Sequence, residues 1–323
     1  MMFAIRKTYS AIVLAWLLLG AAAFIQGCGK DVPPQPVVTS FKYEPAKTLS
    51  PEERDVETRF ATAIQDNLNV FIAAYRWKWP KVVNTDNARE LSRDYAPDGF
   101  ESMTENTKEH RLKYTLATQG PSRSLAVEVY KQMLREQPTG TTQPLVVFTA
   151  GGAGSGKSTS IGALPELRNI MDQAQIVFDT TLSSQDSPEQ IKMALDAGKT
   201  VKIFYIYRDA EMAFTGMLER TVRTGRPVTL TNFITTHLGT PKMLDSVANI
   251  YGEEIKAGKI SISVIDNTGA LQDVKVAQGG MNFVRARVSQ YDGNELRERL
   301  QKTLDEAYAD GKISKQVYDA VNQ

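Results

Sequence analysis

Cysteine is almost absent from this sequence: among 323 residues there is one, Cys28, so no intramolecular disulfide can form. Histidine is nearly as scarce, with only His110 and His237. Two imidazoles and a lone thiol do not make up the four nitrogen and sulfur ligands of a structural zinc site. A charge excess is missing too. The 38 basic and 37 acidic side chains leave a net charge of +1. No global field therefore draws the chain onto nucleic acid or an anionic membrane surface, and recognition of phosphate has to be local. Internal repeats are absent. What remains is an ordinary globular composition, 42% hydrophobic and 23% charged.

The N-terminus departs from that ordinary pattern. Arg6 and Lys7 precede an apolar run from Ala11 to Ile25, the length of a signal-peptide core and short for a membrane span. Ile25-Gln26-Gly27-Cys28 resembles the bacterial lipobox, in which small residues precede a cysteine whose thiol accepts a lipid. The alternative is a plain anchor helix or a buried apolar helix, and Pro33, Pro34 and Pro36 speak against either. The expectation is a lipoprotein signal peptide over 1–27, lipidation at Cys28, a Pro-rich tether over 28–50 and an exported, membrane-anchored protein. Gly29 after the cysteine resembles the outer-membrane sorting pattern.

Residues 51–140 read as an α-helical region. Ser50-Pro51-Glu52-Glu53 places a cap, a first-turn proline and acids at a helix start. One helix is expected to run from there toward Trp77, with Val56, Phe60, Ile64, Leu68, Phe71 and Tyr75 on one face. Further helices are expected over 86–95, 102–116 and 122–137. Trp77 and Trp79 read as core or interdomain packing residues, with a binding surface as the alternative. From Gln143 the pattern changes. Leu145 to Phe148 is an unbroken apolar run, and Ile176 to Phe178, Val201 to Tyr207 and Ile260 to Ile265 are similar runs, separated by helical patterns, as in a parallel sheet buried on both faces. The predicted fold is α/β: a P-loop NTPase-type parallel sheet flanked by helices over 141–290, preceded by the helical region and followed by C-terminal helices over 291–323.

Gly151-Gly152-Ala153-Gly154-Ser155-Gly156-Lys157-Ser158 satisfies G-x-x-x-x-G-K-[ST] in full, between an apolar strand and a helix beginning near Thr159. The chemistry needs each part. Glycines let successive amides point inward, Lys157 reaches the β- and γ-phosphates, and the Ser158 hydroxyl can hold Mg²⁺. The helix dipole favours the anion. ATP or GTP with Mg²⁺ is the expected ligand. Asp179 closes the next apolar run, at the sheet edge where such folds bind ligands, and can contact Mg²⁺ or accept a substrate proton. A helix-cap role is the alternative.

From Val147 to about residue 270 the chain resembles the zeta-toxin family of P-loop kinases. The likeness rests on the P-loop, on Ile176 to Leu182, on Phe204 to Asp209 with Met217 to Arg220 and Gly225 to Val228, and on Asn232 to Leu238 followed by Val264 to Asn267. The resemblance implies transfer of a γ-phosphate to the hydroxyl of a small molecule, such as UDP-N-acetylglucosamine. It implies two arginines on the transferring phosphate, by position Arg220 and Arg226, with Arg223 and Arg208 as further candidates. It also implies an antitoxin-like partner. Members of the family usually have an additional strand after the P-loop helix that delivers a catalytic aspartate. Here only Ile161 to Gln175 occupies that interval, without a strand pattern. Either Asp179 takes over as base, or proton abstraction is weak, or the acceptor differs. His237 is a candidate substrate or acid–base group, or a structural residue. Two other functions compete: a non-catalytic nucleotide-binding lipoprotein, and an effector delivered to another cell, which would remove the conflict between export and the expected lack of periplasmic ATP.

Overall fold

The computed structural model describes residues 41–289 and 291–323. The expected signal peptide, the lipidation residue Cys28 and the first part of the tether lie outside these residues. Residues 40–323 form one compact unit. Among the described residues, no helix is long and apolar enough to cross a membrane.

The upstream region begins with α1 (Pro51–Asp66), closed by a capping box in which Ser50 and Glu53 satisfy each other's backbone N–H groups. The single helix expected to reach Trp77 is in fact two, because Asn67 leaves helical geometry at φ −136° and ψ 36° before α2 (Leu68–Lys78). The Asn67 amide donates to the Ala63 carbonyl, the local competition with the backbone ladder that makes asparagine a poor interior helix residue. The break rotates the buried stripe, which continues through Ile72 rather than Phe71. Trp79 is buried against Tyr75 and Phe100, whereas Trp77 is 79% exposed. A strand, β1 (Val82–Val83), follows where only helices were expected. The helix expected over 86–95 is the short α3 (Thr85–Arg89).

The two helices expected over 102–116 and 122–137 are one continuous helix, α4 (Glu105–Arg135), with Pro121 inside it. An interior proline costs about 3 kcal/mol. The helix persists because Ala117, Leu125, Ala126, Val129 and Tyr130 bury a single face across the proline. The Tyr130 ring meets Phe148 and Phe178 edge-on, seating α4 on the sheet.

The second part alternates as expected: β2 (Gln143–Ala150), α5 (Lys157–Ala163), α6 (Pro165–Gln173), β3 (Ala174–Asp179), α7 (Ser187–Asp196), β4 (Thr200–Tyr207), α8 (Ala210–Thr224), α9 (Leu230–Ile250), α10 (Gly252–Lys256) and β5 (Ile260–Asp266). A 3-10 turn (Leu271–Asp273), β6 (Lys275–Val276) and α11 (Met281–Val288) lead to α12 (Gly293–Ala309) and α13 (Lys315–Val321). The sheet order is β1-β3-β2-β4-β5-β6. Every pairing is parallel except that of β5 with β6. Val146, Val147 and Phe148 of the central β2 are fully buried, which explains its unbroken apolar run. The next strands in sequence flank β2 on opposite sides, so the crevice at its C-terminal end is the topological switch point where open α/β sheets bind ligands. On one side of the sheet Phe214, Phe233, Leu296, Leu300 and Val321 knit α8, α9, α12 and α13 into one core.

Candidate functional site

The loop from Gly151 to Gly156 carries the chain from β2 into α5. At two of its glycines no larger residue fits. Gly154 has φ +73°, and a Cβ there would lie 1.9 Å from the Ala213 carbonyl of α8. At Gly152 a Cβ would meet the His237 ring at 2.3 Å. Two side chains brace the loop from beneath. Asn267, buried at the end of β5, donates its amide to the Ser155 carbonyl at 2.7 Å. His237 of α9 stacks on Phe233 and bonds the Ala153 carbonyl through Nε2 at 3.0 Å, so Nε2 carries the proton. Burial pushes the His237 pKa down to about 4. The imidazole is thus a neutral support of the loop at neutral pH, in keeping with the structural alternative for this residue.

Lys157 opens α5 with its ammonium 3.3 Å from the Gly151 carbonyl and 3.9 Å from Asp179 Oδ1. Ser158 and Thr159 are exposed in the first turn, where helix N–H groups have no intrahelical partner. Asp179 ends β3, in register with Thr149 of β2. Its Oδ1 accepts the Thr149 hydroxyl at 2.5 Å and its Oδ2 accepts the Asn84 amide at 2.5 Å. Both oxygens are therefore engaged by neighbouring strands.

Asn84 belongs to the strand that the sequence did not disclose. Val83 pairs with Phe178, so Asn84 stands level with Asp179 and the next residues emerge at the same edge. There Asp86 accepts from Arg89 at 2.6 Å, and among the described residues its second oxygen has no hydrogen-bond donor. Burial raises its pKa, but Arg89, Arg220, Arg226 and Lys157 outweigh burial and hold the carboxyl below its ordinary value. Asp86, Arg89, Lys157, Asp179 and Arg220 line one groove of about 390 Å³. Its remaining walls are rich in hydroxyls and amides, among them Thr115, Gln119, Thr180, Ser184 and Asn232. No sequence signal marked Asp86 or Arg89, because the strand that delivers them is two residues long.

Of the arginines expected at the phosphate, Arg220 and Arg226 both act electrostatically on Asp86 and Arg220 lines the groove, while Arg223 is exposed on α8. Arg226 donates to Glu90 at 2.6 Å. Burial opposes its charge, and the carboxylates of Asp86 and Glu90 outweigh that, raising its pKa. Arg208 stands beside the loop, with a terminal nitrogen 3.8 Å from where a Gly156 Cβ would be. The Nε atoms of Arg208, Arg220 and Arg226 are enclosed without an acceptor among the described residues, as are those of Arg76, Arg89 and Arg111, so this feature does not single out the groove.

For Mg²⁺ the donor set is small. The described residues contain no cluster of three or more histidine, cysteine or carboxylate side chains able to hold a metal. A hydroxyl at Ser158 and a carboxylate at Asp179 nonetheless fit Mg²⁺, which is usually held by one or two protein oxygens plus nucleotide phosphates and water.

No curated protein matches the chain. Among solved structures, AvrRxo1-ORF1 in complex with AvrRxo1-ORF2 and sulphate ions is similar at 12% identity and a TM-score of 0.36, covering 58% of this chain and 78% of that one. The same complex with ATP is similar at 13% identity and a TM-score of 0.36, covering 64% and 81%. Likeness at this level assigns no role to any residue here. Over residues 165–278, downstream of the glycine-rich loop, the chain matches the profile of the Zeta toxin family.

Proposed function

We propose that the protein is a nucleoside-triphosphate-dependent phosphotransferase that passes the γ-phosphate to a hydroxyl of a small polar molecule. One observation carries this reading: the P-loop lysine opens into a groove whose far wall bears a carboxylate, Asp86, among cations. Phosphoryl transfer needs positioning and charge stabilisation more than covalent help from the protein. Lys157, Arg220 and Arg226 stabilise charge on the γ-phosphate oxygens. Ser158 and Asp179 would hold the nucleotide's Mg²⁺, which when bound would neutralise phosphate charge. Asp86, with an oxygen to spare, receives the acceptor hydroxyl, a part that Asp179 with both oxygens engaged fills less well. Its lowered pKa makes it a weak base, and in a loose transition state its main work is to orient the hydroxyl. The polar groove suits a nucleotide sugar such as UDP-N-acetylglucosamine, with ATP or GTP as donor.

The test is transfer of radiolabelled γ-phosphate by the purified protein to nucleotide sugars and nucleosides. Transfer to one of these classes is expected, with at least a hundredfold loss in Lys157→Ala, roughly what loss of a charge-assisted contact at the reacting phosphate costs. Tight nucleotide binding with no transfer to any acceptor would instead leave a non-catalytic nucleotide-binding module. We further propose a lipid anchor at Cys28, motivated by the lipobox-like residues 25–28. Globomycin-sensitive processing is the expected result, and an unprocessed soluble product refutes it.

A further inference from the structure

Immediately after α3 the chain buries a carboxylate that the transfer reading leaves unused. Glu90 is 2% exposed as a residue and its side chain is fully enclosed. Its Oε1 accepts from Arg226 at 2.6 Å. Its Oε2 accepts from Arg111 at 2.7 Å and from the Glu101 backbone N–H at 2.9 Å. Arg111, itself 0% exposed, donates its other terminal nitrogen to the carbonyls of Ser102, at 2.7 Å, and Thr224, at 3.1 Å. Thr224 ends α8, two residues before Arg226. The carboxylate is thus fixed from three stretches of chain, one of them the segment that carries Arg226.

Stability alone is a poor account of this arrangement. A buried ionic triad is often replaceable by apolar side chains at no net cost, because desolvation offsets the attraction. One carboxylate also faces two guanidinium groups, so the cluster is not neutral in itself. What it does supply is orientation. Glu90 holds one Nη of Arg226 and so fixes the direction of a guanidinium whose side chain remains 20% exposed. Arg226 in turn acts electrostatically on Asp86.

Resting on the phosphotransferase reading, we propose that Glu90 is a positioning residue: it aims the Arg226 guanidinium at the γ-phosphate, and Arg111 fixes Glu90 for that task. Residues far upstream of the P-loop then set the geometry of a downstream arginine. Nothing in local sequence spacing couples the two.

Calorimetry with ATP and ADP on the intact protein tests this without needing the acceptor. Arg226→Ala is expected to lower the preference for ATP over ADP about tenfold, the size of one charge-assisted contact. Glu90→Gln, isosteric and uncharged, is expected to lower it severalfold while circular dichroism remains that of the wild type. Guanidinium ion at millimolar concentration should restore the preference in Arg226→Ala and not in Arg226→Ala/Glu90→Gln, since the amide no longer holds the cation. Should Glu90→Gln alone fail to fold, the double variant Glu90→Gln/Arg111→Met, which removes the stranded charge, is read in the same way. A folded Glu90 variant with wild-type ATP preference overturns the proposal while Arg226 keeps its role. If Arg226→Ala itself keeps that preference, the part given to Arg226 in transfer fails, and Glu90's with it.

Discussion

Asp179 ends β3 and Asp86 lies in the first turn after the adjacent β1, and the two differ in what already occupies them. Asp179 is tied on both oxygens, by Thr149 and Asn84, and Asp86 on one, by Arg89. Substituting each by asparagine should separate their effects. Asp179→Asn can keep both neighbours, its carbonyl accepting from Asn84 and its amide donating to the Thr149 hydroxyl oxygen, so stability should change by no more than about 1 kcal/mol while nucleotide affinity falls with the lost charge. Asp86→Asn should leave nucleotide binding within about twofold and reduce the transfer rate by about two orders of magnitude, as loss of the group that orients the attacking hydroxyl does. Denaturant titration, calorimetry and single-turnover transfer would show this. An Asp86→Asn protein with wild-type turnover removes that residue from the chemistry. The two carboxylates also differ in how visible they were. Asp179 closes a long apolar run and could be found by pattern. Asp86 follows two valines, and nothing about Val-Val-Asn-Thr-Asp announces a sheet edge.

At the scale of elements, β1 is the part on which the acceptor side depends. It makes few bonds of its own, and its place is secured by Val83, 0% exposed beside Phe178. Val83→Ala should cost roughly 1–3 kcal/mol of unfolding free energy. Because Asn84 and Asp86 follow directly, transfer should fall more than nucleotide affinity does. An unchanged ratio of the two would show that the edge strand does not set the site. Most other elements were legible because they are long and periodic: β2, β4 and β5 as apolar runs, α8 and α9 as helical patterns. The misjudged places share a cause. At Asn67 one side chain broke a helix whose periodicity continued, and at Pro121 burial of a continuous face carried a helix through a residue that usually ends one. In both, an opposing local and tertiary preference had to be weighed, and only the packed structure shows which prevailed.

For the molecule as a whole, acid should loosen the nucleotide cradle before it loosens the sheet. His237 is buried neutral with its pKa lowered from 6.5 to about 4. Between those values the unfolded chain takes up a proton that the folded chain refuses. Stability is therefore complete above about pH 6.5 and declines toward pH 4, by at most about 3 kcal/mol from this group. Asp86 acts in the same direction at lower pH, since its carboxyl is held below the ordinary value when folded and its contribution is lost on protonation. Melting temperatures measured between pH 8 and pH 4 should show that decline, flattened in His237→Gln, which keeps a side-chain donor for the Ala153 carbonyl. An equal slope in the variant would assign the acid sensitivity elsewhere.

The strand order has a consequence for how this protein can be taken apart. Its polypeptide enters the sheet at the flank, with β1, and only later lays down the central strand beneath the phosphate cradle. On the proposed reading, the grip on the acceptor is translated first and the grip on the donor second. Proteolysis between residues 135 and 143, where the chain passes from α4 to β2, would part the two in covalent terms while leaving the cradle's own sequence whole. Recombining the fragments is then expected to restore the proposed transfer only when β1 pairs again with β3, while nucleotide binding asks for the second fragment alone.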